Sequence, residues 1–130
     1  VLADEQEKSI RKTLNFGHTA GHAFETLYHL PHGQAVALGM IVALIASEQK
    51  LHLSKDVRQQ FITLLKQYSL KTHLVFDIHA VLNSIGHDKK RKNDCIDFIL
   101  IEHIGKAVIT PLSFDEIRTA LTTFADEHKS

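Results

Sequence analysis

Residues 34–50 read QAVALGMIVALIASEQK. From Ala35 to Ala46 every position is apolar except Gly39. A helix made from this stretch has no polar side to show water, so it is buried on most of its faces. The apolar run is also shorter than the roughly 20 residues that a membrane-spanning helix needs. Other parts of the chain must therefore wrap it.

The flanks supply the wrapping. Ser54 is placed to cap a following helix. Val57, Phe61, Leu64, Leu65 and Tyr68 then form an amphipathic stripe. Asp77–Ile85 reads as a short helix ending at Gly86, and residues 87–94 (HDKKRKND) read as a polar loop. Cys95–Ile101 and Lys106–Thr110 are β-rich runs separated by Glu102-His-Ile-Gly105, which predicts a hairpin. Ser113-Phe-Asp-Glu116 is a capping box, opening a last helix with Phe114, Ile117, Leu121 and Phe124 on one face. On the other side, Leu30-Pro31-His32-Gly33 is a break. Residues 15–29 are compatible with helix despite Gly17 and Gly21, and residues 1–12 are charged and either helical or frayed. The expected fold is mainly α, with one small antiparallel hairpin near residues 95–110.

The chain has 130 residues, enough for one domain with its own core. Hydrophobic residues make up 44% and charged residues 23%, as in ordinary soluble domains. The formal net charge is zero, so no global charge points to nucleic acid or an anionic membrane. The basic run Lys89-Lys-Arg-Lys92 has no interleaved aromatics and reads as solvated loop. The single cysteine, Cys95, excludes a disulfide framework and reads as a small hydrophobe in a reducing compartment. No basic-then-apolar leader opens the sequence. It begins at Val1 without an initiator methionine, and the expectation is that it is cut from something longer.

Histidine is the unusual component. There are ten, and four of them (His18, His22, His29, His32) fall within fifteen residues. Residues 15–25 read NFGHTAGHAFE. In a helix, His18, His22 and Glu25 share one face. Histidines four apart can reach one metal ion, and a third ligand is then usually required. His32, expected in the loop ahead of the next helix, is a candidate. The H-E-x-x-H motif of zinc proteases is absent. The competing interpretation is that these are surface or hydrogen-bonded core histidines. Gly17 and Gly21 each cost helix stability relative to alanine, which points to close approach by a substrate, a metal or another backbone. Arg11, Asn15, His18 and His22 run along one helical stripe. A guanidinium and an amide beside imidazoles suit an oxygen-rich, anionic substrate, although a solvated first turn has the same pattern. Glu25 either orients one of the neighbouring rings or is an ordinary helix glutamate. The other histidines have no partner pattern.

The segment Arg11-Lys-Thr-Leu-Asn15-Phe-Gly-His18-Thr-Ala-Gly-His22-Ala-Phe-Glu25, followed by His32-Gly-Gln-Ala-Val-Ala-Leu-Gly-Met40, resembles the signature of the 3-dehydroquinate synthase family. Asp88-Lys89-Lys90, the Ile104-Gly105-Lys106 turn and the lead-in Asp4-Glu5-Gln6-Glu7 are similar too, so the resemblance covers essentially the whole chain. It implies the mostly helical C-terminal domain, spanning 1–130, of a larger enzyme whose N-terminal α/β domain holds NAD. No Gly-rich phosphate loop follows a strand here, in agreement.

The resemblance also implies roles. His18 and His32 match the family's two metal-binding histidines, and the third ligand is a glutamate upstream of Val1. The metal is zinc or cobalt. His22 matches a histidine that moves protons at the substrate hydroxyl oxidised by NAD. Arg11 and Asn15 match groups that bind substrate oxygens or phosphate, and one of Lys89 and Lys90 matches a lysine at the phosphate end. The implied reaction converts a phosphorylated seven-carbon keto acid, 3-deoxy-D-arabino-heptulosonate 7-phosphate, to 3-dehydroquinate and phosphate in aromatic amino acid biosynthesis. The chain alone is expected to be inactive. The whole enzyme is expected to be a cytoplasmic homodimer with no nucleic-acid or membrane partner. The alternatives are another sugar-phosphate cyclase (a 2-deoxy-scyllo-inosose or valiolone-type synthase), a related metal-dependent alcohol dehydrogenase, or an isolated helical metal-binding or interaction module.

Overall fold

A computed structural model of the chain describes residues 18–88, 95–103 and 105–126. Its elements are α1 (His18–Tyr28), α2 (His32–Leu51), α3 (Lys55–Gln67), α4 (Ile78–Asp88), β1 (Cys95–His103), β2 (Lys106–Ser113) and α5 (Phe114–Asp126). The expected class holds: the domain is mainly helical, with one two-stranded antiparallel sheet.

Helix α2 is the axis of the fold. Every residue from Ala37 to Ser47 except Met40 is buried. The helix is longer than its apolar run, and by length and composition it could cross a bilayer, but 67% of that stretch is buried inside the fold. Helices α1, α3 and α5 and strand β1 pack around it. The sheet contributes on both faces. Ile96, Phe98 and Leu100 join the main core with Leu112, while Ile101 joins a second cluster with Ala43, Leu44 and Leu53. That is why the run Phe98–Ile101 is apolar without alternation. Phe24, Phe76 and Phe124 form an aromatic group with ring centroids 5.4–6.1 Å apart, joining α1, the segment before α4, and α5.

The expected caps are present. Ser54 Oγ accepts from the Asp56 N–H at 3.3 Å. The capping box closes in both directions, with Ser113 N donating to Glu116 Oε1 at 2.9 Å and Glu116 N donating to Ser113 Oγ at 3.2 Å. Asp77 caps α4 by accepting from the His79 and Ala80 N–H groups.

Several boundaries, and the buried stripe of α3, differ from the sequence reading. Helix α2 starts at His32, so His32 and Gly33 are helical and not loop. Proline fits the entry to a helix, where the first N–H groups lack intrahelical partners anyway, and the Pro31 carbonyl accepts from Ala35 N at 3.0 Å. Helix α4 does not end at Gly86 but continues to Asp88. Strand β2 continues past Thr110 to Ser113, and Pro111 lies within it opposite Asp97. In a two-stranded sheet β2 is an edge, where a missing N–H is tolerated. In α3 the stripe buries Leu65, half-buries Val57 and Phe61, and leaves Leu64 and Tyr68 46% and 72% exposed. Arg58 is buried instead. It forms an ion pair with Glu48: Nη2 donates to Oε1 at 3.1 Å, and Nε lies 2.7 Å from Oε2.

Two buried or half-buried polar groups give testable consequences. Ser47 Oγ donates to Ala43 O at 2.8 Å and accepts from Ile101 N at 2.9 Å, tying α2 to β1 at the irregularity in the strand pairing. Ser47→Ala leaves a buried N–H without its partner, and the expected loss in urea-unfolding free energy is about 1–3 kcal/mol. Glu116 also meets Lys50 Nζ at 2.7 Å. That ammonium, and then the Ser113 backbone N–H, hold the Glu116 carboxyl below its ordinary value of 4.5. A depressed carboxyl contributes stability above its ordinary value and loses it as pH falls through the lowered one. Both side chains are more than a third exposed, so the effect is at most about 1 kcal/mol. Glu116→Gln is expected to unfold at lower urea than wild type at pH 7, with the gap closing below pH 4.5.

Candidate functional site

Helix α1 carries the histidine motif. Ala20, Ala23 and Phe24 form its buried face. His22 and Glu25 lie on the opposite face, as their spacing predicts. His22 is exposed and Glu25 half-buried. The helix ends at Tyr28, and His29 turns the chain in the left-handed region at φ 53°. Three residues later α2 begins at His32. The hydroxyl of Tyr28 accepts from Asp77 N at 2.9 Å, holding the hairpin against the start of α4.

Gly21 sets how closely the two helices cross. A Cβ there would lie 2.9 Å from the Ala35 carbonyl oxygen and 3.3 Å from Val36 Cα. Of the three possible reasons for a glycine in the motif, backbone approach is therefore the one that applies to Gly21. Gly17 lies outside the described residues.

The close crossing brings Glu25 to His32. Glu25 Oε1 is 3.0 Å from His32 Nδ1. The two side chains are 37% and 68% exposed. The carboxylate expected to orient a ring on its own helix thus meets one on the next helix instead. Spacing along α1 could not show this, because the pair is joined through the turn. The signal in the sequence was Gly21, whose missing side chain dictates the crossing.

The other candidates are less fully placed. The backbone of His18 opens α1. Arg11, Asn15, Lys89 and Lys90 lie outside the described residues. Among the described residues, no three His, Cys, Asp or Glu side chains are grouped to hold a metal ion. The described pair does fit one ligand position of such a site. With Glu25 accepting at Nδ1, the remaining ring nitrogen, Nε2, would be the one open to a metal, and a carboxylate behind a metal-bound histidine is a common arrangement. A shallow cavity lined by Lys50, Leu112, Glu116 and Thr119 lies toward the other end of α2. It is about 27 Å from His32 along the helix axis.

The family model for the 3-dehydroquinate synthase C-terminal region matches residues 1–91. The chain is 35% identical over 136 residues to the 3-dehydroquinate synthase of Dichelobacter nodosus, covering all of this chain and 37% of that one. It is 32% identical over 125 residues to the enzyme of that name from Streptococcus agalactiae serotype Ia, covering 93% of this chain and 35% of the relative. The chain therefore spans about a third of the length of the curated relatives it matches. Its fold is similar to the crystal structure of a 2-deoxy-scyllo-inosose synthase complexed with carbaglucose-6-phosphate, NAD+ and Co2+. The TM-score is 0.73 at 24% identity, over 84% of this chain and 34% of that one.

The crossing is testable through its glycine. Alanine gains up to about 1 kcal/mol in helix propensity over glycine, whereas overpacking against backbone costs about 1–3 kcal/mol. The clash should win at Gly21, so Gly21→Ala is expected to lower the thermal unfolding midpoint. Gly33→Ala, where a Cβ meets nothing within 4 Å, should leave it unchanged or raise it.

Proposed function

The chain belongs to the 3-dehydroquinate synthase C-terminal family, and on that premise we propose that it is the metal- and substrate-binding domain of a 3-dehydroquinate synthase. The whole enzyme would convert 3-deoxy-D-arabino-heptulosonate 7-phosphate to 3-dehydroquinate and phosphate. The observation that carries this reading is the family match running through both histidine segments, 15–25 and 32–40.

In this proposal His18 and His32 hold a divalent zinc or cobalt ion, completed by a glutamate outside the 130 residues. NAD is held mainly by a further domain. When bound, the metal supplies Lewis-acid polarisation of substrate oxygens, and NAD a transient oxidation of a hydroxyl. The chain's own residues do the rest. His22, exposed on α1, moves a proton at that hydroxyl. Arg11 and Asn15 bind substrate oxygens, and one of Lys89 and Lys90 binds the phosphate end, where cationic donors make strong charge-assisted hydrogen bonds. Glu25 fixes His32. The partner is a phosphorylated small molecule, with neither nucleic acid nor membrane involved, and the whole enzyme is a cytoplasmic homodimer. The fold similarity to a 2-deoxy-scyllo-inosose synthase supports a second reading as that related cyclase. The sequence relatives favour the first.

The 130-residue chain alone, given NAD and zinc, is expected to release no phosphate from the heptulosonate phosphate. In the enzyme that joins it to the NAD-binding domain, His22→Ala should lower kcat by about 10²–10⁴ with metal affinity retained. His18→Ala and His32→Ala should each lose the metal. Tight zinc binding abolished only by His22→Ala would overturn the ligand assignment, and turnover of glucose 6-phosphate in place of the heptulosonate phosphate would favour the second reading.

A further inference from the structure

The contact between Glu25 and His32 does not follow from either residue's place on its own helix. Glu25 lies in the last turn of α1 and His32 is the first residue of α2. They meet at 3.0 Å because Gly21 lets the helices cross closely. As a surface ion pair this exposed, the contact would contribute little to stability. Its chemical consequence is more specific. A carboxylate is an acceptor only, so it selects the imidazole tautomer that carries its proton on Nδ1. The lone pair is then confined to Nε2. A neutral imidazole free of such a partner divides itself between two tautomers, only one of which offers Nε2 as a donor to a cation.

We propose that Glu25 is the positioning residue of His32: its carboxylate accepts the Nδ1 proton, fixes the ring's tautomer and plane, and so presents Nε2 to a divalent metal. This rests on the reading of His32 as a metal ligand. Glu25 itself does not touch the metal. It acts through the ring, and by accepting the Nδ1 proton it also makes Nε2 the stronger donor.

Two measurements on wild type, Glu25→Ala, Glu25→Gln and His32→Ala test it. The first is the His32 tautomer in the metal-free chain at pH 8, by long-range 1H–15N correlation. Wild type should show the Nδ1–H form and Glu25→Ala a mixture. Glu25→Gln, whose amide oxygen can still accept, should restore the wild-type form. The second is Co2+ binding to the enzyme that includes the NAD-binding domain, by titration calorimetry and the cobalt visible spectrum. Glu25→Ala should weaken binding by about 10–100-fold and change the spectrum, with Glu25→Gln between it and wild type. Glu25 is partly exposed, so its substitution should leave the fold intact, and far-ultraviolet circular dichroism checks this. If His32→Ala abolishes Co2+ binding while Glu25→Ala leaves tautomer, affinity and spectrum unchanged, the positioning role is overturned. If His32→Ala leaves Co2+ binding intact, the ligand reading fails and the proposal fails with it.

Discussion

Gly21 on α1 has no side chain, and the Ala35 carbonyl of α2 lies where one would begin, 2.9 Å from the site of a Cβ. The rest of the histidine region depends on this contact. The two helices are joined by only residues 29–31 and run in opposite senses. One turn forward from Gly21 is Glu25, and one turn back from Ala35 lies next to His32. Both steps move the same way in space, toward the connecting turn. A contact made at one level therefore sets the separation of the side chains at the next. The left-handed conformation at His29 and the entry proline at Pro31 complete the turn in the least chain length.

The crossing is backed by the way α2 is held in the rest of the fold. Its apolar circumference is covered by three helices and a strand, and close-packed interiors do not deform continuously. Its polar groups are committed as well. Ser47 is fully buried and bonded in both directions, and Glu48 receives the buried guanidinium of Arg58. A buried ion pair adds little net stability over an apolar pair, but leaving either partner alone is expensive. The pair therefore acts chiefly to fix how α3 docks on α2. The far end of α2 is thus held by specific polar contacts, and its first turn is left to carry His32.

Much of this architecture can be read from residue order. The buried helix, the two caps at Ser54 and Ser113, the hairpin and the final helix are each specified by a local pattern, and local patterns survive folding when tertiary packing agrees with them. Two of the misplaced boundaries share a cause. Pro31 and Gly86 read as punctuation, and each sits where its backbone peculiarity costs little: a helix entry and a helix interior near its end. The stripe on α3 overestimated burial because Tyr68 lies past the helix's last turn, while Arg58 looked like a surface residue until Glu48 was placed beside it. Glu25 and His32 illustrate the harder limit. Their meeting depends on the crossing angle of two helices, and a single sequence carries that only through a glycine whose purpose has three possible explanations.

Under the proposed function one residue type is given two tasks. His22 and His32 are chemically identical, and both are exposed. What stands behind His32 is described. The Nδ1 of His32 is held by a carboxylate across the turn, which confines its lone pair to one nitrogen and suits a fixed metal ligand. His22 projects from the exposed face of α1, three residues before Glu25 and on the same side of the helix. That carboxylate's described hydrogen bond goes to the other ring. Under the proposed function this division is required. A ligand must keep one protonation state throughout, whereas an acid–base group must change its own. A glutamate directed to His32 by the way the helices cross gives the proposed ligand its fixed state.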